Sequence, residues 1–428
     1  MRRNARLLQE QAQEQLRIQH QQAQEILRLQ QDLQEQSQAK ERERQRKEMN
    51  AAEALAAMQQ AKNRDERVQA YRASLRADPR IARLQILDME RPLEVTNIYV
   101  RVRLHQDTRL HYEHEVIKEL EIREAHEDPN AFFRANQYRL EQRVSSALDP
   151  DQAVRTYKRC VIVGDPGAGK TTLLKYLALK SIDQQLPGLP DIPIHIELND
   201  FASSGHQNKD LLDFASQRWE TRYGFPRTEA RAYMEEQLAD GTAWLLLDAL
   251  DETVIGETMQ QAEDSYRRVI ETIEEIATRY HQAPIVVTAR KAGYHQHIRL
   301  TGFTELEVLD FRSEDIQQFI RSWFACQPKP SRYATAADLI ARLARNPRIQ
   351  ALAANPLLLS LIVLVYEEQL DLPDRRAELY NRCVETLLTN WDTSRDIRRL
   401  REFKPERKQQ WLQVIAWHFH LQGQRYFP

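Results

Sequence analysis

Nine consecutive residues concentrate the chemistry of this chain: Gly164-Asp165-Pro166-Gly167-Ala168-Gly169-Lys170-Thr171-Thr172. They follow the apolar, β-branched run Cys160–Val163 and lead into the helix formers Leu173, Leu174 and Lys175. The spacing G-x-x-x-x-G-K-[ST] between a strand and a helix is the P-loop pattern. Gly164, Gly167 and Gly169 lack Cβ atoms, so a backbone running through Asp165, Pro166 and Ala168 can curl and turn its N–H groups inward. Those amides, with the positive end of the helix that Thr172 enters, make a cradle for a β-phosphate. Lys170 can bridge β- and γ-phosphates, and the Thr171 hydroxyl suits a Mg²⁺ ligand. By average residue usage a match of this length arises by chance in on the order of one chain in a hundred this size. A strand before it and a helix after it lower that further. These residues predict a nucleotide site.

Two more groups point to the same place. Trp244–Leu247 reads as a buried strand ending in Asp248, with Asp251 and Glu252 just beyond. A carboxylate at the end of a parallel strand lies where α/β sheets bind ligands. Asp248 is the candidate Mg²⁺ partner, directly or through water, and Asp251 or Glu252 can orient the water that attacks a γ-phosphate. Ile285–Ala289 is another buried strand, and it delivers Arg290, whose guanidinium can read a γ-phosphate with two hydrogen bonds. Pairing of Arg290 with a loop acid is the rival reading, and Lys291 is the fallback for its role. Asn355-Pro356-Leu357 opens a very apolar helix, where proline suits the first turn.

The surrounding elements must hold these residues together. From Tyr157 the pattern alternates strand and helix, the mark of an α/β fold with a parallel sheet covered on both faces. Five strands are expected: Cys160–Val163, Ile192–Leu198, Trp244–Leu247, Ile285–Thr288 and about Glu305–Leu309. Pro193 suits only a strand start or an edge strand. Helices are expected near 170–182, 209–222, 226–239 and 258–280. After Asp310 only helices follow, at 335–345, 356–369, 374–392 and 405–421, after a stripe of Phe311, Ile316, Phe319, Ile320 and Trp323 at helical spacing. Trp391, Trp411 and Trp417 read as core. The chain ends straight after a helix without closing turn chemistry, as a fragment of a longer protein does.

Upstream, none of the 11 glycines precedes Gly164 and no proline precedes Pro79. Residues 1–76 are helix formers without a breaker. Ala12, Leu16, Gln19, Ala23, Ile26, Gln30 and Leu33 alternate by four and three, as a coiled-coil seam does. Coiled-coil self-association and a plain helical spacer both fit, and 13 glutamines in the first 40 residues also allow partial disorder. Residues 77–156 form a mixed segment. Ile98–Leu104 alternates apolar and basic, which predicts a strand buried on one face; Glu115–Glu124 and Ala131–Leu148 look helical. No chemistry is assigned to that segment.

Composition sets the outer bounds. With 61 basic against 63 acidic residues in 428, no charge imbalance argues for nucleic acid or an anionic membrane. The longest apolar run, Leu357–Val365, is too short to span a bilayer, and no secretory signal follows Met1. Cys160, Cys326 and Cys383 fit neither a metal spacing nor a disulfide framework, which places the chain in a reducing cytoplasm. The twelve histidines show no ligand spacing, and His195 and His418 read as structural. No Ser/His/Asp signature is present, and the guanine-reading Asn-Lys-x-Asp pattern fails after Asn208-Lys209, where Leu211 stands in place of Asp.

Together these motifs resemble the NACHT family of signal-transduction (STAND) ATPases. The residues that carry this are Gly164–Thr172, Leu245–Glu252 with a small Ala249 after Asp248, Thr288-Ala289-Arg290, Asn355–Leu359 and Leu372–Tyr380. The resemblance covers 155–428 and also Leu84–Leu104, which is similar to the segment preceding bacterial NACHT domains. It implies a P-loop NTPase domain over 157–310 with a five-stranded parallel sheet in the order 5-1-4-3-2. A helical domain would follow over 311–400, and a winged-helix domain would begin at 401–428. It further implies ATP or ADP with Mg²⁺ as ligands, Pro356 near adenine, and a switch closed by ADP and opened into a homo-oligomer by ATP, with slow hydrolysis. Related bacterial proteins are implicated in defence against phage, with the N-terminal region as effector or adaptor that meets a protein partner. A rapidly cycling AAA+-like motor and a coiled-coil scaffold with a structural nucleotide are the alternatives.

Overall fold

A computed structural model of the chain describes residues 64–84, 92–106, 147–204, 210–256, 258–296, 298–326, 334–373, 375, 377–385 and 405–421. The chain divides into two units, Met1–Tyr71 with Arg218–Arg227, and Arg72–Gln217 with Thr228–Pro428. In the first, the ring of Tyr71 stacks on Trp219 with centroids 3.8 Å apart, and Trp219 meets Phe225.

The second unit is built on a sheet. The strands in chain order are β1 (Arg83–Leu84), β2 (Leu93–Glu94), β3 (Leu104–His105), β4 (Arg159–Gly164), β5 (Ile192–Glu197), β6 (Ala243–Asp248), β7 (Ile285–Arg290) and β8 (Thr304–Val308). Strands β1 and β2 form a separate antiparallel pair, and the other six form one sheet ordered β3-β8-β4-β7-β6-β5. Its central strands are near-continuous aliphatic runs buried on both faces, which is what a parallel sheet with helices on each side demands. Five strands are parallel; β3 adds to β8 antiparallel, with Leu104 opposite Val308. The sheet therefore has six strands rather than five, and the sixth comes from the mixed segment upstream. Pro193 lies on β5 at the other edge, where a missing N–H costs no ladder bond.

The register sets the site. Gly164 at the end of β4 pairs with Arg290 at the end of β7, and Glu197 at the end of β5 pairs with Asp248 at the end of β6. The carboxyl ends of three neighbouring strands thus deliver a glycine, a guanidinium and a carboxylate to one edge.

The helices that bear on this edge are α1 (Val95–Ile98), α2 (Lys170–Ile182), α3 (Lys291–Gln296), α4 (Ser313–Ala325) and α5 (Pro356–Gln369). Ile98–Leu104 departs from expectation. Val95–Ile98 is helical, Tyr99–Arg103 is neither helix nor strand, and only Leu104–His105 is a strand. The alternation marked burial correctly, since Val100, Val102 and Leu104 are buried and Arg101 is exposed. Period two, however, reports a face and not a hydrogen-bonded neighbour.

Trp411 and Trp417, expected in the core, are 45% and 62% exposed on the helix Pro405–Leu421. An apolar stripe predicts a face without naming what covers it. Cys160 and Cys383 are buried and unpaired. The seam over residues 12–33, the helices expected at 115–124 and over 131–146, and Trp391 lie outside the described residues. No helix among the described residues is long and apolar enough to cross a membrane.

Candidate functional site

The loop between β4 and α2 takes its shape from glycine. Gly167 and Gly169 adopt φ of 77° and 90°, where a side chain is strained. A Cβ on Gly167 would also lie 2.6 Å from that of Leu357. The loop carbonyls are held by donors from the protein. Lys170 Nζ donates to the carbonyls of Gly164 (2.8 Å) and Asp165 (3.1 Å), and Ala168 N–H reaches Asp165 at 3.2 Å. Asn355 Nδ2 donates to Pro166 O at 3.0 Å, and Leu357 N–H to Gly167 O at 3.2 Å. Burial pushes the Lys170 ammonium below its ordinary pKa, while the Asp251 carboxylate pulls the other way. An anion in the loop would restore the lost solvation.

At the end of β6, Asp248 is 4% exposed and accepts a hydrogen bond from the Thr288 hydroxyl. The same hydroxyl oxygen accepts from Ala249 N–H at 2.9 Å. Ala249 is left-handed, with φ of 61°, and starts a 3-10 turn over Leu250–Thr253 that carries the acid pair. Asp251 accepts from the backbone N–H of Arg290 at 2.8 Å and lies 3.3 Å from its Nε. Glu252 accepts from Arg290 Nη2 at 2.6 Å. One guanidinium therefore bridges both acids. A Cβ on Gly293 would lie 2.7 Å from the Asp251 Cβ, so only glycine lets α3 sit this close to the turn. Lys291, the fallback for Arg290, pairs with buried Glu307 on β8, lies 4.0 Å from Asp165 of the loop and is not among the residues that line the cavity.

These groups face a cavity of about 400 Å³. Of the residues singled out in the sequence, Pro166, Gly167, Gly169, Lys170, Thr171, Thr172, Asp248, Asp251, Glu252, Arg290 and Pro356 line it; Gly164, Asp165 and Ala168 do not. The opposite wall is apolar, made of Ile98, Tyr99, Val100, Val102, Phe311 and Phe319 among others. None of these six was legible as a site residue. The first four come from the segment given no chemistry, and the two phenylalanines from a stripe that core packing explains. Tyr99 stacks on Tyr176 of α2 at 4.0 Å, which fixes that wall against the loop's own helix. A polar end with a cation and amides, and an apolar end with aromatic rings, is the profile of a site for a phosphorylated ring compound.

The donors suit a hard divalent cation. Thr171 and Asp248 both line the cavity, and Asp248 is a buried carboxylate that forms no ion pair with a basic side chain among the described residues. Among the described residues no cluster of three or more His, Cys, Asp or Glu could hold a metal alone. Such an ion would share its shell with water and phosphate oxygens, as Mg²⁺ does.

Residues 158–327 match the family model described as NACHT domain. The chain carries a NACHT domain. NACHT domains are P-loop NTPase domains, so this is a nucleotide-binding NTPase with an α/β fold and a mostly parallel six-stranded sheet. No curated protein matches the chain. Among solved structures, domain III of the replication initiation protein DnaA from Thermotoga maritima is 14% identical, with a TM-score of 0.30, covering 54% of this chain and 87% of that one. The NACHT match takes in the loop, Asp248, the acid pair and Arg290. The walls formed by Ile98–Val102 and by Pro356 and Leu357 lie outside the matched residues.

Proposed function

We propose that this NACHT domain works as an ATP-dependent switch of the STAND class, with ADP holding one packing of the chain and ATP another. The observation that carries this is Arg290, which bridges Asp251 and Glu252 at the mouth of the loop. A γ-phosphate beside Lys170 competes for the same guanidinium, and ADP offers no such competitor. A ligand shifts a two-state equilibrium only by contacts that differ between the states, and Arg290 supplies such a difference.

Under this reading Lys170 and the loop amides hold the β-phosphate, and the apolar wall with Pro356 takes the adenine. Thr171 and Asp248 would hold Mg²⁺, which neutralises charge on the phosphate oxygens. Asp251 is 8% exposed and tied to the backbone of Arg290, so it positions; Glu252, at 39% and held only through the Arg290 side chain, can orient water once that guanidinium moves away. While Arg290 holds Glu252 that base is masked, which supports slow hydrolysis. Self-association with ATP, and a partner for the N-terminal helices, belong to the same proposal.

Glu252→Gln tests the assignment. It is expected to retain ATP and lower turnover by at least roughly tenfold, as loss of a water-orienting base does. Normal turnover in that variant would move the role to Asp251. Native mass with ADP and with ATP plus Mg²⁺ tests the switch: a larger assembly with ATP is expected, and identical mass counts against it. Turnover of many per second would favour a motor.

A further inference from the structure

The amide of Asn355 is engaged at both ends. Its Oδ1 accepts from the backbone N–H groups of Leu357 (3.0 Å) and Leu358 (3.2 Å), capping α5. Its Nδ2 donates to the Pro166 carbonyl, 189 residues earlier in the chain. The orientation of the amide follows from the network, because the flipped form would face an NH₂ group with two N–H donors and an oxygen with a carbonyl. Leu357 N–H holds the Gly167 carbonyl, one residue further along the loop. Consecutive loop carbonyls are thus fixed by the first turn of a helix that lies outside the matched NACHT residues.

In a planar trans peptide the N–H points opposite to the preceding C=O. Holding the carbonyls of Pro166 and Gly167 from outside therefore sets the direction of the Gly167 and Ala168 N–H groups. Ala168 N–H is shared with Asp165 O; among the described residues, the carbonyl that sets the Gly167 N–H is held by the Asn355 amide. Glycine at φ 77° has no steric preference to hold that peptide plane by itself.

We propose that Asn355 is a positioning residue for phosphate: its side-chain amide locks the 166–167 peptide so that the loop presents its N–H to the nucleotide, and so ties phosphate affinity to docking of α5. The inference rests on the reading of the loop as a nucleotide site. Coupling of this kind is reciprocal, so bound nucleotide also tightens the docking of α5. The chemistry requires asparagine. Aspartate keeps the cap but puts an oxygen against the Pro166 carbonyl, and serine keeps the cap with no second donor to reach the loop.

The test uses the full chain with Asn355→Asp and Asn355→Ser, the second adding no charge near the phosphates. ADP affinity is measured by calorimetry with Mg²⁺, amide exchange is followed across 164–172 and 357–358, and melting is recorded without nucleotide. Both variants are expected to melt near the parent, to bind ADP at least tenfold more weakly, and to lose the slowing of exchange at 357–358 that ADP gives the parent. A cap serving only the helix, which both variants keep, would leave ADP affinity and the ADP-dependent slowing of exchange at 357–358 unchanged, and that result overturns the proposal. If Asn355→Asp fails to fold, Asn355→Ser decides alone. A parent chain that binds no ADP sinks the nucleotide reading along with this one; parental affinity in the variants sinks this one only.

Discussion

Lys170 is half committed before any ligand arrives. Its ammonium spends two hydrogen bonds on the carbonyls of Gly164 and Asp165, and burial disfavours its charge. Lys170→Ala is therefore expected to cost nucleotide affinity far more than fold: roughly 100-fold or more in ADP binding, in line with the loss of a charge-assisted contact of about 3 kcal/mol, with little change in melting of the free protein. Equilibrium binding and a thermal scan separate the two. Thiol chemistry offers a second check on the core. Burial pushes Cys160 on β4 up to about 12 and Cys383 up to about 11. Because the thiolate is the reactive form, alkylation at mildly alkaline pH should label half-buried Cys326 first and spare Cys160 until the sheet unfolds, as peptide mass spectrometry would read. Early labelling of Cys160 would place β4 away from the centre of the sheet.

Elements were legible in proportion to how local their signals are. The strand, loop and helix around Gly164 stand in one continuous stretch, so glycine spacing and apolar runs were enough to locate them. Asp248, Asp251, Glu252 and Arg290 were legible because buried strands of known polarity must end at one edge. The apolar wall was not. Tyr99 and Val102 come from a segment whose alternation fitted an ordinary strand, and Phe319 from a stripe that packing explains in full. Asn355 was hidden for a similar reason, since its cap is a sufficient local account and the bond to Pro166 spans the chain. Two glycines mark where elements meet. Gly167→Ala forces a left-handed alanine against Leu357, and Gly293→Ala drives a methyl into Asp251. Each is expected to cost about 1–3 kcal/mol, as overpacking does. The first should weaken ADP binding as well; the second should loosen Arg290 and, if Glu252 orients water as proposed, raise basal hydrolysis. A Gly293→Ala protein with parental melting and turnover would remove the close approach of α3 from the account.

For the whole molecule, ligand and architecture meet in one cavity, whose walls come from the upstream segment, the sheet edge and the first turn of α5. A nucleotide there links stretches that are far apart in the chain, and it should stabilise them by mass action, about 2.7 kcal/mol at a hundred times the dissociation constant. The most direct test is to denature the purified protein and chromatograph what it releases. The account predicts adenine nucleotide, chiefly ADP and close to one per chain, with Lys170→Ala emerging empty. A parent chain that comes up empty, and stays empty after incubation with ADP and Mg²⁺, would contradict it.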